Sequence, residues 1–491
     1  IQEDKRESVN VAMENLPADN LKYYDLGSGL VTNTIGSSMI KWNMASFMGR
    51  INYNYLGRYL LTVSARYDGS SRLADGHKWV LFPSAALAWR INEESFMSST
   101  SGWLDNLKLR LGFGKTGNSA VDPYQTKGTL SLIRYPFDNG GTPTIGYAPN
   151  AMANSLLTWE TTDQWNLGID FGVLRGRING TIDLYMQNTH DLLLKRQLPV
   201  VSGFPDVLSN VGKTRNKGIE VSINSMNINS KDFQWTTDLM LSSNKEEIVE
   251  LYNGKNDDIG SKWFIGQPVN VHYDYRKVGI WQNTESDLAE MAKFAANGTE
   301  FAPGDIKIQD VNGDYKITDA DKQILGNPRP KLIASMVNTF NYKGFDLSVF
   351  LYASFGAMLY NDIYAVEHCG RNGGVKVDYW TPNNPTNAYP RPSIDEERPI
   401  YITSTYYEKA DFLRVKTMTL GYTLPKTLTN KFLVEKLRVY FTAQNPFIFT
   451  NYTGIDPEAA KVNSAGNPET NGSGFGTPSV SSWIFGINLT L

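Results

Sequence analysis

Apolar and polar side chains alternate residue by residue along much of this 491-residue chain. Successive side chains of an extended strand point to opposite faces, so a period of two marks a strand with one apolar face. In "FMGRINYNY", Phe47, Ile51, Tyr53 and Tyr55 share a face with Gly49, against Met48, Arg50, Asn52 and Asn54. "GRYLLTVSARYDGS" sets Leu61, Val63, Ala65 and Tyr67 against Thr62, Ser64, Arg66 and Asp68, and the short "LGR" before it predicts a hairpin. In "NLKLRLGFG", Leu107, Leu109, Leu111 and Phe113 oppose Lys108 and Arg110. The pattern returns in "GRINGTIDLYMQ", "KGIEVSIN", "GFDLSVFLYASF", "KLRVYFTAQ" and the closing "SSWIFGINLTL". Roughly 14 to 16 such segments can be counted, more than an open sheet carries without curling, splitting or closing.

Two architectures fit. A soluble sandwich packs its apolar faces together and turns its polar faces outward. A membrane barrel turns apolar faces to lipid and polar faces to a wet lumen. No repeat or linker divides the chain into sandwich modules. Tyr53, Tyr55, Tyr59, Trp79, Trp89, Trp165, Tyr440 and Phe449 fall near segment ends, as interfacial girdles require. The segments 136–155, 253–270, 364–404 and 453–478 are long and rich in Gly, Pro and Asn. Short turns at one end and long loops at the other suit an outer-membrane barrel. No run approaches the ~20 apolar residues of a membrane helix. The start, "IQEDKRESVN", carries no charged-then-apolar leader, as expected of a mature or partial chain. One helix is expected over 284–298, with Thr284 as N-cap and Gly298 as stop.

Charge and ligand chemistry narrow the function. A formal net charge of -3 gives no electrostatic footprint for nucleic acid. Cys369 stands alone and reads as an inert loop residue; His77, His190, His272 and His368 lack ligand spacing. One stretch does resemble a metal loop. "DVNGDYKITDAD" sets Asp310, Asn312, Asp314, Lys316 (by its carbonyl) and Asp321 at positions 1, 3, 5, 7 and 12 of an EF-type Ca²⁺ loop. Tyr315 occupies the position where such loops hold Gly, and Asp321 is shorter than the usual Glu. A structural calcium site and a turn satisfied by its own Asp and Asn side chains are both open.

A family resemblance joins these segments. "GRYLLTVSARYDGSSR" (57–72), "FPSAALAWRI" (82–91), "LKLRLGFGKTGN" (107–118), "WETTDQWNLGIDFG" (159–172), "NVGKTRNKGIEVSIN" (210–224), "PGDIKIQDVNGDYKITDADKQILGNPRPKL" (303–332), "FNYKGFDLSVFLYASFG" (340–356), "FLRVKTMTLGYTLP" (412–425) and "LRVYFTAQNPFIFTNYTGIDPE" (437–458) run in family order. Together they resemble the C-terminal barrel of SusC/RagA-type TonB-dependent transporters of the Bacteroidetes outer membrane. The resemblance implies an all-β fold, a large antiparallel transmembrane β-barrel. Residues 1–491 would be the C-terminal part of a roughly 22-strand barrel, with the plug domain and N-terminal strands outside this chain. It implies active import of oligosaccharides or oligopeptides through the outer membrane, a SusD-like surface lipoprotein as lid, and energy delivered by TonB. No covalent chemistry on the substrate is implied. The aromatics Trp263, Phe264, Tyr364, Trp380, Tyr389, Tyr401, Tyr406 and Tyr407 are candidates for substrate or lid contact, or for anchoring loops to one another. The competing readings are a soluble or surface-anchored glycan-binding β protein and a β-rich glycoside hydrolase. A hydrolase needs two converging carboxylates, and no pair can be chosen from the sequence.

Overall fold

The computed structural model describes residues 1–17, 22, 24–29, 31–137, 144–361, 376–392, 398–429, 431, 434–458 and 479–491. Fourteen strands form one sheet in chain order. They are β1 (Gln2–Glu14), β2 (Val31–Tyr55), β3 (Tyr59–Ser70), β4 (Trp79–Arg90), β5 (Leu104–Asn118), β6 (Glu160–Val173) and β7 (Ile178–His190). Then come β8 (Lys213–Asn229), β9 (Phe233–Glu250), β10 (Leu332–Tyr342), β11 (Phe345–Phe355), β12 (Phe412–Thr423), β13 (Lys436–Thr450) and β14 (Ser482–Thr490). Every neighbouring pair is antiparallel, and among the described residues the sheet does not close on itself.

The connections alternate in length. At one end, tight turns link β2 to β3, β6 to β7, β8 to β9 and β10 to β11. The last of these is a two-residue loop, Lys343 (φ 44°) and Gly344 (φ 90°). Positive φ at both central residues gives the turn a twist that matches the strands it joins. At the other end lie the long excursions. The one between β5 and β6 carries a separate hairpin of Thr129–Tyr135 with Thr144–Ala151, the second strand of which falls inside the 136–155 segment expected to be loop. The one between β9 and β10 carries the single long helix among the described residues, α1 (Glu285–Ala296). Thr284 caps α1 by accepting the Asp287 N–H, and Gly298 takes φ 89° just beyond it, as expected.

The strands hold no shared interior core. Buried apolar side chains gather at the long-loop end instead. Ile280, Ile306, Ile308, Trp380, Ile402 and Tyr406 form one cluster, and Trp281, Met291 and Phe294 form its neighbour. Leu73, Phe82, Val121, Leu157 and Trp159 form another above β3–β6. Two elements escaped the alternation pattern. The strand β1, "QEDKRESVNVAME", is polar on both faces up to Ser8 and alternates only over Val9, Val11 and Met13, and β2 runs for 25 residues, beginning well before Phe47.

Candidate functional site

Strand register assembles the single-strand patterns into surfaces. Leu61 pairs with Leu87, Leu87 with Leu111, Leu111 with Leu167, Leu167 with Leu184, and Leu184 with Ile219. All six side chains are exposed, so an unbroken apolar row crosses β3 to β8 with no protein layer against it. On the same face, aromatic rings gather at two levels. Tyr53, Tyr55, Tyr59 and Trp89 contact in sequence at the short-turn end, with centroids 6.3–6.5 Å apart. Phe47 and Tyr67 stack on Trp79 at the long-loop end, at 6.1 and 5.0 Å. From Trp79 to Trp89 is ten residues of β4. At ~3.3 Å per residue and a tilt of ~40°, that spans ~25 Å, the height of an outer-membrane apolar band.

The opposite face is a polar wall. Arg110 on β5 donates from Nε to Asp170 Oδ1 on β6 (2.9 Å) and from Nη2 to Asp183 Oδ2 on β7 (3.1 Å). Lys108 adds a contact to Asp170 at 3.2 Å. To reach β7, Arg110 must cross β6, and it crosses at Gly168. A Cβ there would lie 2.5 Å from the guanidinium carbon and 2.7 Å from Asp183 Oδ1. The device recurs at Gly421 on β12, where Arg438 of β13 crosses to Asp346 of β11, Nε to Oδ1 at 2.9 Å. Hydroxyl pairs, Ser64–Ser84 and Thr419–Thr442, extend the wall. Toward the long-loop end, Arg414 on β12 is 4% exposed and donates to Asp456 Oδ1 at 2.5 Å. Its Nε lies 2.8 Å from Glu458, off the line of the N–H, and Lys416 holds Glu458 at 2.6 Å. Burial pushes the Asp456 carboxyl up, but the N–H groups of Glu458 and Ser479 and the Arg414 guanidinium outweigh it and hold the carboxyl below the ordinary aspartate range. None of these pairs was named from sequence. Their signal was present as Arg and Asp recurring at alternate positions of neighbouring strands, but register was needed to join them.

The candidate aromatics divide by burial. Phe264, Trp380 and Tyr406 are buried in loop cores. Trp380 donates Nε1–H to Gln282 Oε1 at 2.8 Å, and Phe264 packs on Tyr273 at 4.8 Å. These three join protein to protein and present no open ring face. Tyr407 is half-buried and donates its hydroxyl to Asp274 Oδ2 at 3.0 Å; burial, then the Asp274 charge, pushes the phenol well above its ordinary pKa. Trp263 and Tyr389 are half-buried within the loops. Tyr401, in a left-handed conformation (φ 64°), lines a cavity of about 700 Å³ with Phe301, Ile317, Arg391 and Asp305. Tyr364, Cys369 and His368 lie outside the described residues.

The loop 310–321 has part of an EF-type backbone. Tyr315 takes the left-handed conformation (φ 55°) that its position demands. The donors, however, serve the turn. Asp310 accepts the N–H groups of Gly313 (2.7 Å) and Tyr315 (2.8 Å). Asp321, fully buried, accepts those of Val311 (2.9 Å) and Thr318 (2.8 Å). Asn312 and Asp314 bond each other and the next backbone amides. No group of three His, Cys, Asp or Glu side chains among the described residues converges as a metal cage. The loop's own backbone N–H groups thus hold Asp310 and Asp321 in place.

Comparison with known proteins follows the same line. The family described as TonB dependent receptor-like, beta-barrel, matches residues 14–446. TonB-dependent receptor P3 of Formosa agariphila is 32% identical over 99% of this chain and 49% of its own length. TonB-dependent receptor SusC of Bacteroides thetaiotaomicron is 35% identical over 84% of this chain and 41% of its own. The chain thus spans about half the length of the curated relatives it matches. Among solved structures, a RagAB peptide transporter chain superposes with a TM-score of 0.78 at 24% identity, over 96% of this chain and 50% of that one. With its lipid-facing belt, polar inner wall and elaborated outer loops, the chain belongs to the TonB-dependent receptor β-barrel family and is an outer-membrane protein.

Proposed function

We propose that this chain forms the C-terminal wall of an active importer of oligosaccharides or oligopeptides, completed by further strands and a plug domain. A SusD-like lipoprotein caps its outer face, and TonB supplies the energy. The observation that carries this is the two-faced sheet. An apolar face with aromatic girdles ~25 Å apart suits lipid, while the opposite face is braced by ion pairs that would cost too much in lipid and belong in a wet lumen. Long loops with packed cores stand at the outer end, where cargo and lid would meet. The half-buried Tyr401, on the wall of the 700 Å³ cavity, is the best placed of the candidate aromatics for a ring or side-chain contact with cargo. The curated relatives are TonB-dependent receptors, and the RagAB relative is a peptide transporter, which supports the oligopeptide class of cargo.

The test is uptake by cells carrying the full-length gene. Deletion should abolish growth on one oligosaccharide or oligopeptide pool and leave growth on its monomers intact. Unchanged growth on every pool would remove the import reading. A protein released from washed membranes by carbonate without detergent would favour the surface glycan-binding alternative.

A further inference from the structure

We propose that the loop cavity of about 700 Å³ takes a cationic side chain, arginine or lysine, of an oligopeptide, with Glu300 as its counter-ion. This rests on the import reading and narrows its cargo. The charged side chains on the cavity wall are Glu300, Asp305 and Arg391. Two of them satisfy each other. Arg391 donates Nε–H to Asp305 Oδ1 at 2.8 Å, and Asp305 Oδ2 accepts the Ala302 N–H at 2.8 Å. Arg391 is also pinned to the loop. Its backbone N–H donates to the Gly304 carbonyl at 2.8 Å, and a Cβ on Gly304 would lie 2.7 Å from Arg391 Cβ. Glu300 is left over: it is exposed, and its carboxylate has no ion pair or hydrogen bond among the described residues. Arg398 precedes Pro399 in the chain but does not line the cavity. The wall therefore carries one uncompensated negative charge.

The rest of the wall selects among cations. Ile306, Ile317, Pro390, Pro399 and Ile400 supply aliphatic surface, and Phe301 and Tyr401 supply rings. The two ring centroids are 6.5 Å apart, and Tyr275 packs edge-on against Tyr401 at 5.0 Å. A hydrated inorganic cation gains nothing from such a wall. A long side chain with an aliphatic stem and a terminal charge gains from both parts of it. The stem covers the aliphatic surface while the head reaches a ring or the carboxylate. The volume lies within the range of ligand pockets. An oligosaccharide fits worse. Its hydroxyls would meet Ile306, Ile317, Pro390 and Pro399 without hydrogen-bond partners, and a buried hydroxyl left unpaired is costly. The α-amino group of a peptide carries the same charge as lysine but no aliphatic stem, so the two sources can be told apart.

The experiment uses the full-length protein, extracted in detergent with any lipoprotein that accompanies it. Calorimetric titration measures its affinity for N-acetylated, C-amidated hexapeptides that differ at one central residue. The arginine and lysine peptides should bind, the uncharged citrulline peptide about fivefold more weakly, and the glutamate peptide more weakly still. Glu300→Gln should lose about fivefold for the arginine peptide and nothing for the citrulline peptide. Retained citrulline binding shows that the variant is folded. Ile400→Ala, at the exposed rim, should weaken both peptides alike. Glu285→Gln, the same charge change on α1 outside the cavity, should alter neither. Five outcomes would each overturn the assignment: no binding of any peptide, equal affinity of wild type for the arginine and citrulline peptides, equal loss of both in Glu300→Gln, displacement of the arginine peptide by a neutral maltooligosaccharide, or recovery of tight citrulline-peptide binding when the N-terminus is left free. None of them touches the import reading, which fails if the deletion strain grows normally on every pool.

Discussion

Replacing Gly168 by alanine tests whether the polar wall is held by side chains that cross an intervening strand. In a strand, alanine is ordinarily favoured over glycine by about 0.5–1 kcal/mol, because it loses less backbone freedom on folding. At this site the added Cβ would sit 2.5 Å from Arg110 and 2.7 Å from Asp183 Oδ1, so the guanidinium must swing away. Arg110 keeps Asp170, but Asp183 loses its cation. The pair is roughly a quarter exposed on each side (29% and 22%), so its charge-assisted hydrogen bond is discounted to about 1–2 kcal/mol. Gly168→Ala should therefore destabilise by about 1 kcal/mol overall. In an Arg110→Ala background the guanidinium is gone and the Asp183 carboxylate, no longer held by it, can turn aside, so the same change should stabilise by about 0.5–1 kcal/mol. The reversal of sign is the prediction. It is measured as the urea midpoint of the full-length protein in detergent micelles, as a double-mutant cycle. An equal effect of Gly168→Ala in both backgrounds would refute the strand-crossing clamp.

Three further outcomes follow from the geometry. Leu111→Arg, at the centre of the exposed leucine row, should cost about 2–4 kcal/mol and abolish the folded band on unheated gels, whereas Ser222→Arg on the inner wall should fold normally. Chelating calcium should leave proteolysis within 310–321 unchanged, since Asp310 and Asp321 already accept backbone N–H groups; a calcium-dependent rise in melting temperature that Asp310→Ala removes would restore the metal reading. The last loop should open in acid. Asp456 is held below its ordinary pKa in the folded state, so its stabilisation is complete above about pH 4 and is lost as pH falls through the folded value. Protease should cut near 451–458 below that pH and spare that stretch at pH 6, and Asp456→Asn should be cut there at both.

Much of the fold was legible because a lipid-facing strand must repeat its apolar residues at every second position. Strands such as β3, β5, β7 and β11 announced themselves in this way, and so did the hairpin turn at 56–58. The polar strand β1 and the first half of β2 did not. Their apolar residues, Val9, Val11, Ile35 and Met39, are few and set among charged and hydroxyl side chains, so the alternation is too sparse to read. Thr284 and Gly298 bounded α1 because caps are local chemistry. The clamps at Gly168 and Gly421 were invisible for the opposite reason: each joins three strands, and sequence distance says nothing about register. The aromatics were legible as a class but not by role. Trp380 and Tyr406 differ from Tyr401 only in what the fold brings against them. The calcium motif showed the reverse problem. Its spacing is real, yet the same Asp and Asn side chains close the turn by themselves.

The buried clusters at the outer end have a mechanical consequence. Ile280 and Trp281, Ile306 and Ile308, Trp380, and Ile402 with Tyr406 come from stretches separated by much of two loops, and they interlock into one body. That body is anchored to β9, β10, β11 and β12, the strands its segments leave and re-enter. A load applied anywhere on it is shared among those four strands instead of bending a single loop. The outer loops on this side of the barrel thus behave as a lever fixed to the wall, and any partner that grips the lever can work on the barrel itself.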